Sequence, residues 1–164
     1  MKKGLKSLYF LLFISVFILG CRNNEDVVPT DTNLKTIALT QEEVTGFNVA
    51  VSIEQPSLTF KDTTDEYTIL FNDNKDTLSN KVFIFKTAED AGNNFIKSNI
   101  PGVNKVNLDN LGDEGLAFIT KDSIGNEIIS IWFKKKNLIA NLEITNSNLD
   151  EAVSYAKKIE AKIA

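Results

Sequence analysis

The sequence contains no histidine. That removes Ser-His-Asp and Cys-His nucleophilic centres and the histidine-bearing zinc motifs, since each needs an imidazole as base or ligand. A single cysteine, Cys21, is present. One thiol cannot close an intrachain disulfide or build a thiolate metal cage, so the fold must stand on its core alone. There is no Gly-rich phosphate loop and no internal repeat. Basic side chains are outnumbered 18 to 22, a net charge of −4, so nucleic acid is not a partner that the charge favours. No cofactor is implied. What remains for chemistry is carboxylates: a two-carboxylate hydrolase, or an oxygen-ligand site for calcium or magnesium.

The amino-terminal end has the charge and apolar runs of an export leader. Lys2, Lys3 and Lys6 form a positive start, and Leu8 to Leu19 is apolar apart from Ser15. The run falls short of the ~20 residues of a membrane span and has the length of a signal-peptide core. It ends Ile18-Leu19-Gly20-Cys21, which resembles the bacterial lipobox. The resemblance implies cleavage between Gly20 and Cys21, a diacylglycerol on the Cys21 thiol, and an acylated new amino terminus. The membrane is then a partner through the lipid on Cys21. The mature chain would be Cys21 to Ala164, long enough for one domain with its own core. Its charge would be 15 basic against 22 acidic side chains once the three leader lysines are gone.

Residues 22–33, "RNNEDVVPTDTN", are polar apart from Val27, Val28 and Pro29 and are expected to act as a flexible tether. Glu25 and Asp26 resemble the acidic surface-export signals of Bacteroidetes lipoproteins, and a generic acidic linker accounts for them equally well. Arg22, rather than aspartate, follows the cysteine. In a Gram-negative host the resemblance implies the outer membrane.

The globular part is expected over 34–164. Thr40 and Glu43 have capping-box spacing, and Gly46 closes the turn. Val49, Val51 and Ile53 alternate with polar residues and predict a strand, which Leu58 and Phe60 would resume after Pro56. Tyr67, Ile69 and Phe71 predict a second strand. "NDNKDTLSN" reads as a turn; its "NDNKD" resembles part of a calcium loop but lacks the glycine and the closing glutamate, so no metal is assigned. "KVFIF", 81–85, is apolar on both faces and belongs in the middle of a sheet. Thr87 and Asp90 cap a helix carrying Ala88, Ala91 and Phe95 on one stripe, ended by Pro101-Gly102. "GLAFIT", "NEIISIWF" and "NLIANLEIT" predict a meander. Asn148 and Glu151 cap a last helix with Leu149, Ala152, Val153, Ala156, Ile159 and Ile163 on one face and Lys157, Lys158 and Lys162 toward its carboxyl end.

The order ββ-α-βββ-α predicts an α+β domain: an antiparallel sheet of five to six strands packed on two helices. This order, with "LGDEG" before the meander and "KKKNLIANLEI" inside it, resembles small secreted sensor-type domains and the PsbP-like α/β/α sandwich. The resemblance implies a non-enzymatic domain.

Three places are candidate sites. In "LGDEG", Asp113 and Glu114 lie between two glycines and could act as acid and base or as cation ligands; as a plain turn, Asp113 would bond local backbone N–H groups. Lys134-Lys135-Lys136 could touch phosphate, or could simply solvate a hairpin tip and block aggregation. The third is a sheet face. A four-residue lysine turn would pair Phe133 with Leu138 and gather Ile129, Ile131, Phe133, Leu138, Ala140, Leu142 and Ile144 under the last helix. The opposite face would hold Ile128, Ser130, Trp132, Ile139, Asn141 and Glu143, part covered by residues 34–60 and part open to a partner. The sequence thus points to a lipid-anchored, extracytoplasmic, non-enzymatic domain that binds an envelope protein or glycan. The alternatives are a carboxylate-dependent hydrolase and a structural subunit of an envelope complex.

Overall fold

The computed structural model describes residues 27–55, 59–95 and 103–163. The expected leader, Gly20, Cys21 and the first part of the expected tether lie outside the described residues, as do Leu58 and Pro101-Gly102; the helix expected to run to Pro101 already ends at Asn94, where Phe95 turns extended. Among the described residues, seven strands form one antiparallel sheet: β1 (Asn48–Gln55), β2 (Thr63–Asn72), β3 (Thr77–Phe85), β4 (Asn104–Asn107), β5 (Glu114–Lys121), β6 (Glu127–Lys135) and β7 (Leu138–Thr145), in spatial order β1-β2-β3-β7-β6-β5-β4. Helix α1 (Ala88–Asn94) packs on one face and α2 (Leu149–Glu160) on the other. The α+β class and the two helices match the sequence reading. The strand count differs because β4 carries a single apolar residue, Val106, and has no alternation to reveal it.

The caps form as their spacings predict. Thr87 Oγ1 accepts the Asp90 N–H at 3.0 Å, and Asn148 Oδ1 accepts the Glu151 N–H at 2.9 Å. The Thr40/Glu43 box closes a single 3-10 turn, Gln41–Glu43, with the Thr40 N–H on Glu43 Oε2 at 2.8 Å. Gly46 follows at φ +87°, where a side chain would be strained. Strand β3 starts at Thr77, four residues before "KVFIF", so "TLSN" is strand rather than turn. Tertiary bonds account for it: Asn80, fully buried, accepts the Leu39 N–H at 2.9 Å and donates to Asn141 O at 3.1 Å.

The larger core lies between the sheet and α2. Tyr67, Ile69, Phe71, Leu78, Val82 and Ile84 reach it from β2 and β3. Ile129, Ile131, Phe133, Leu138, Ala140, Leu142 and Ile144 reach it from β6 and β7, the set that the alternation predicts. The hairpin between them is tighter than expected. Its loop is Lys136-Asn137, with Lys136 in the left-handed region at φ +57°, and the register is Lys135↔Leu138 and Phe133↔Ala140. The expected pairing of Phe133 with Leu138 is therefore off by two residues. An even shift returns every side chain to its face, so the core set survives.

Residues 34–44 belong to this same core, not to the opposite face. Leu34, Ile37, Ala38, Leu39 and Val44 are buried in it. The α2 lysines hold the segment down: Lys158 Nζ donates to Glu43 O at 2.7 Å, and Lys162 Nζ donates to Ala38 O at 2.7 Å and pairs with the Glu43 carboxylate. Burial opposes ionisation of Glu43, but the Lys162 ammonium and the Thr40 N–H outweigh it and hold this carboxyl below its ordinary value. Packing begins earlier still. Val28 is 8% exposed and joins the core. The buried carboxamide of Asn137 accepts the Val28 N–H at 2.7 Å and donates to Val28 O at 2.9 Å and Phe85 O at 2.7 Å. Val28, inside the expected tether, is thus docked on the domain.

Candidate functional site

The loop that carries Asp113 and Glu114 is shaped by two glycines. Gly112 sits at φ +65°, and a Cβ there would collide with Lys134 O. A Cβ on Gly115 would come within 2.7 Å of Leu111 O and 2.8 Å of Leu108 O. The loop is thereby pressed against the β6–β7 hairpin. The Asp113 N–H donates to Lys134 O at 2.7 Å. Asp113 Oδ2 accepts the Lys136 N–H at 2.8 Å and pairs with Lys134 Nζ at 3.1 Å. Asp113 therefore bonds backbone, as a structural turn residue would, but the backbone is that of the neighbouring hairpin and not its own loop. Glu114 opens β5 opposite Lys134. Asp113 is thus held by the hairpin turn, while Glu114 belongs to the strand. The lysine tip is engaged too: beside the Lys134–Asp113 pair, Lys135 Nζ donates to Glu160 O at 3.3 Å. A cleft of about 370 Å³ runs along this loop, and both Asp113 and Glu114 line it, with Phe95, Lys105 and Asp109. Among the described residues, no group of three or more His, Cys, Asp or Glu side chains is placed to hold a metal ion.

The sheet face opposite α2 is assembled by the observed register. One row across it reads Leu116, Trp132, Asn141, Lys81, Thr68 and Ile53, and the next Phe118, Ser130, Glu143, Ser79, Leu70 and Val51. The expected pairs Trp132–Ile139, Ser130–Asn141 and Ile128–Glu143 become Trp132–Asn141, Ser130–Glu143 and Ile128–Thr145. All six residues do share this face, but only part of the set meets solvent. Ile139 is 0% exposed, buried with Phe83, Phe85 and Ala91 of α1 in a second, smaller core. Asn141 is 4% exposed and donates to Ser130 Oγ at 3.1 Å and Ile131 O at 3.2 Å. Trp132 is half-buried. Its ring lies parallel to Phe83, centroids 6.4 Å apart and planes 9° apart, and meets Phe60 edge-on at 6.2 Å. Its Nε1–H donates to Ser130 Oγ at 3.1 Å. Trp132 is therefore a packed ring with its donor satisfied. Of the expected cover, residues 34–60, Phe60 does pack on this face, but residues 34–44 lie in the other core, and α1 supplies the rest.

Past Trp132 the exposed part of the face changes character. Around β7 and β3 it is polar, with Glu143, Ser79, Lys81, Thr145 and Thr77. Toward β1 it turns apolar, with half-buried Leu70 beside Val51 and Ile53, each 46% exposed. The alternation of β1 is legible in the sequence, but it predicts a half-buried strand; all eight residues of β1 are exposed.

No protein-family model matches the sequence, and no curated protein does. Among solved structures the chain is similar to the extracellular domain of PknH from Mycobacterium tuberculosis, with 12% sequence identity and a TM-score of 0.58, over 85% of this chain and 98% of that one. At that identity the likeness establishes a shared fold.

Proposed function

We propose that this protein is a lipid-anchored, extracytoplasmic interaction domain of a bacterial envelope that binds a partner and catalyses nothing. The observation that carries the location is the leader, Lys2-Lys3 through the apolar run to Ile18-Leu19-Gly20-Cys21. The fold shared with the extracellular domain of PknH is in keeping with it. Against catalysis stand the lack of histidine and the use of Asp113 as a hairpin clamp. The hydrolase alternative needs Asp113 free beside a second carboxylate, and its bonds to Lys134 and Lys136 occupy it.

The docked Val28 adds a length to this reading. Seven residue steps separate Cys21 from Val28, at most about 25 Å of extended chain. An acylated Cys21 would thus keep the Asn137 end of the domain close to the lipid surface, in the outer membrane of a Gram-negative host. Several acyl chains on one residue make such attachment effectively permanent.

Replacing the anchor tests the proposal. Cys21→Ser should abolish incorporation of labelled palmitate and leave an uncleaved precursor. Palmitate labelling that persists in Cys21→Ser would overturn the lipobox reading.

A further inference from the structure

We infer that β1 is a docking edge for an extended segment of a partner protein, one that pairs with Val51–Gln55 as an added strand and carries lysine or arginine beside alternating β-branched residues. This identifies the partner's chemistry on the interaction-domain reading above and rests on it.

The two edges of the sheet differ in kind. The β4 edge is four residues long and includes Lys105, the short, charged form that discourages strand addition. The β1 edge is eight residues long, Asn-Val-Ala-Val-Ser-Ile-Glu-Gln, with no lysine and no proline. Five large apolar side chains are exposed among the described residues, and three of them, Val49, Val51 and Ile53, are on this strand at 44–46%. Such clustering on an edge marks a pairing surface rather than the scattered apolar exposure of an ordinary exterior.

The edge already holds one peptide-like group. The Gln41 carboxamide donates to Phe47 O and accepts the Val49 N–H at 2.8 Å. It does there what the amide of a neighbouring strand would do, and it shows that this backbone presents its donor and acceptor away from β2. The bulge at Ala50, between the pairs Val49↔Phe71 and Val51↔Leu70, ends that capped stretch. Beyond it, Val51 and Ile53 point to the same face as Leu70 and Thr68, so an added strand with one apolar side would extend that apolar strip.

Charge selects the occupant. Between Lys35 and Lys61 the chain has no basic residue, while Glu42 and Glu54 are exposed near the two ends of β1. A basic segment meets opposite charge at both ends. A second copy of this chain would bring the same acidic surface against itself, in a molecule with a net charge of −4.

The test uses the full chain in detergent and a fluorescent peptide, Lys-Lys-Val-Thr-Val-Thr-Val-Lys-Lys, with a control in which every lysine is glutamate. The basic peptide should bind by anisotropy, slow amide exchange within 51–55, and bind about tenfold more weakly to Val51→Lys/Ile53→Lys. Those positions are exposed, so the variant keeps its fold, read by its melting curve. Added salt and the acidic control should each weaken binding, because the attraction is screened or reversed. Equal binding to the variant, equal binding of the acidic peptide, or no binding at about 1 mM peptide would overturn the inference. Sedimentation showing a dimer that Val51→Lys/Ile53→Lys dissociates would overturn it in favour of a second copy. An envelope partner crosslinked equally to the variant would overturn it while leaving the interaction-domain reading in place.

Discussion

The two faces of the sheet are made from the same strands and solve different problems. Among the described residues, 26 buried apolar side chains form one continuous core under α2, and 7 form the core under α1. The larger core draws on the chain from Val28 to Val44, five strands of the sheet, and α2. The smaller is mostly aromatic and rests on a seven-residue helix. Buried apolar area sets most of the folding free energy, so the α2 face holds the fold while the α1 face can leave part of itself to solvent. That division explains why the apolar strip ending in β1 is tolerated: the exposed edge adds little to stability.

The most direct way to break this comparison uses neighbours on one strand. Ile131 is 0% exposed on the α2 face, and Ile128 is half-buried on the other. Ile131→Ala should lose about 2–5 kcal/mol to transfer and cavity terms, and Ile128→Ala less than about 1 kcal/mol. Equal losses in chemical denaturation would mean that the two faces share the load.

A second variant probes how the amino-terminal segment joins the larger core. Asn137→Ala leaves the Val28 N–H, Val28 O and Phe85 O without their shared partner. The expected loss is about 1–3 kcal/mol, with faster amide exchange at Val28. Unchanged exchange there would show that apolar contact alone seats the segment.

The smallest effect separates burial from turn chemistry. Asp73 and Asp122 sit in the β2–β3 and β5–β6 turns, on neither face. The backbone N–H groups of Asp76 and Lys75 hold Asp73 below the ordinary carboxyl value of 3.8. Burial opposes ionisation of Asp122, but the N–H groups of Asn126 and Ile124 outweigh it and lower it as well. A depressed folded value stabilises above the unfolded one, and that contribution is lost as pH falls through the folded value. Melting temperature should therefore drop as acid is added below about pH 4. Asp73→Asn/Asp122→Asn keeps an acceptor in each turn and removes the titration, so its acid limb should be shallower. Identical acid limbs would place the loss elsewhere.

Much of the site was readable because alternation is a local property. Ile128, Ser130, Trp132, Ile139, Asn141 and Glu143 share a face whatever the hairpin register, provided it shifts by an even number. Which of the six meets solvent was not readable, because α1 and Phe60 supply the cover from distant sequence. Asp113 could be read as a turn residue; its partner could not, since the Lys136 N–H lies 23 residues away.

By itself the sequence determined what short-range chemistry determines: the caps at Thr87 and Asn148, the stripe of α2, the inward set of β6 and β7, the α+β class, and the chemistry excluded by the lack of histidine. Tertiary structure alone decided the rest. It paired β4 despite its weak pattern, drew Val28 under Asn137 across 109 positions, and left β1 at the rim. Backbone groups and apolar surface must be satisfied by whatever the whole chain brings near, and no window of neighbouring residues holds that information.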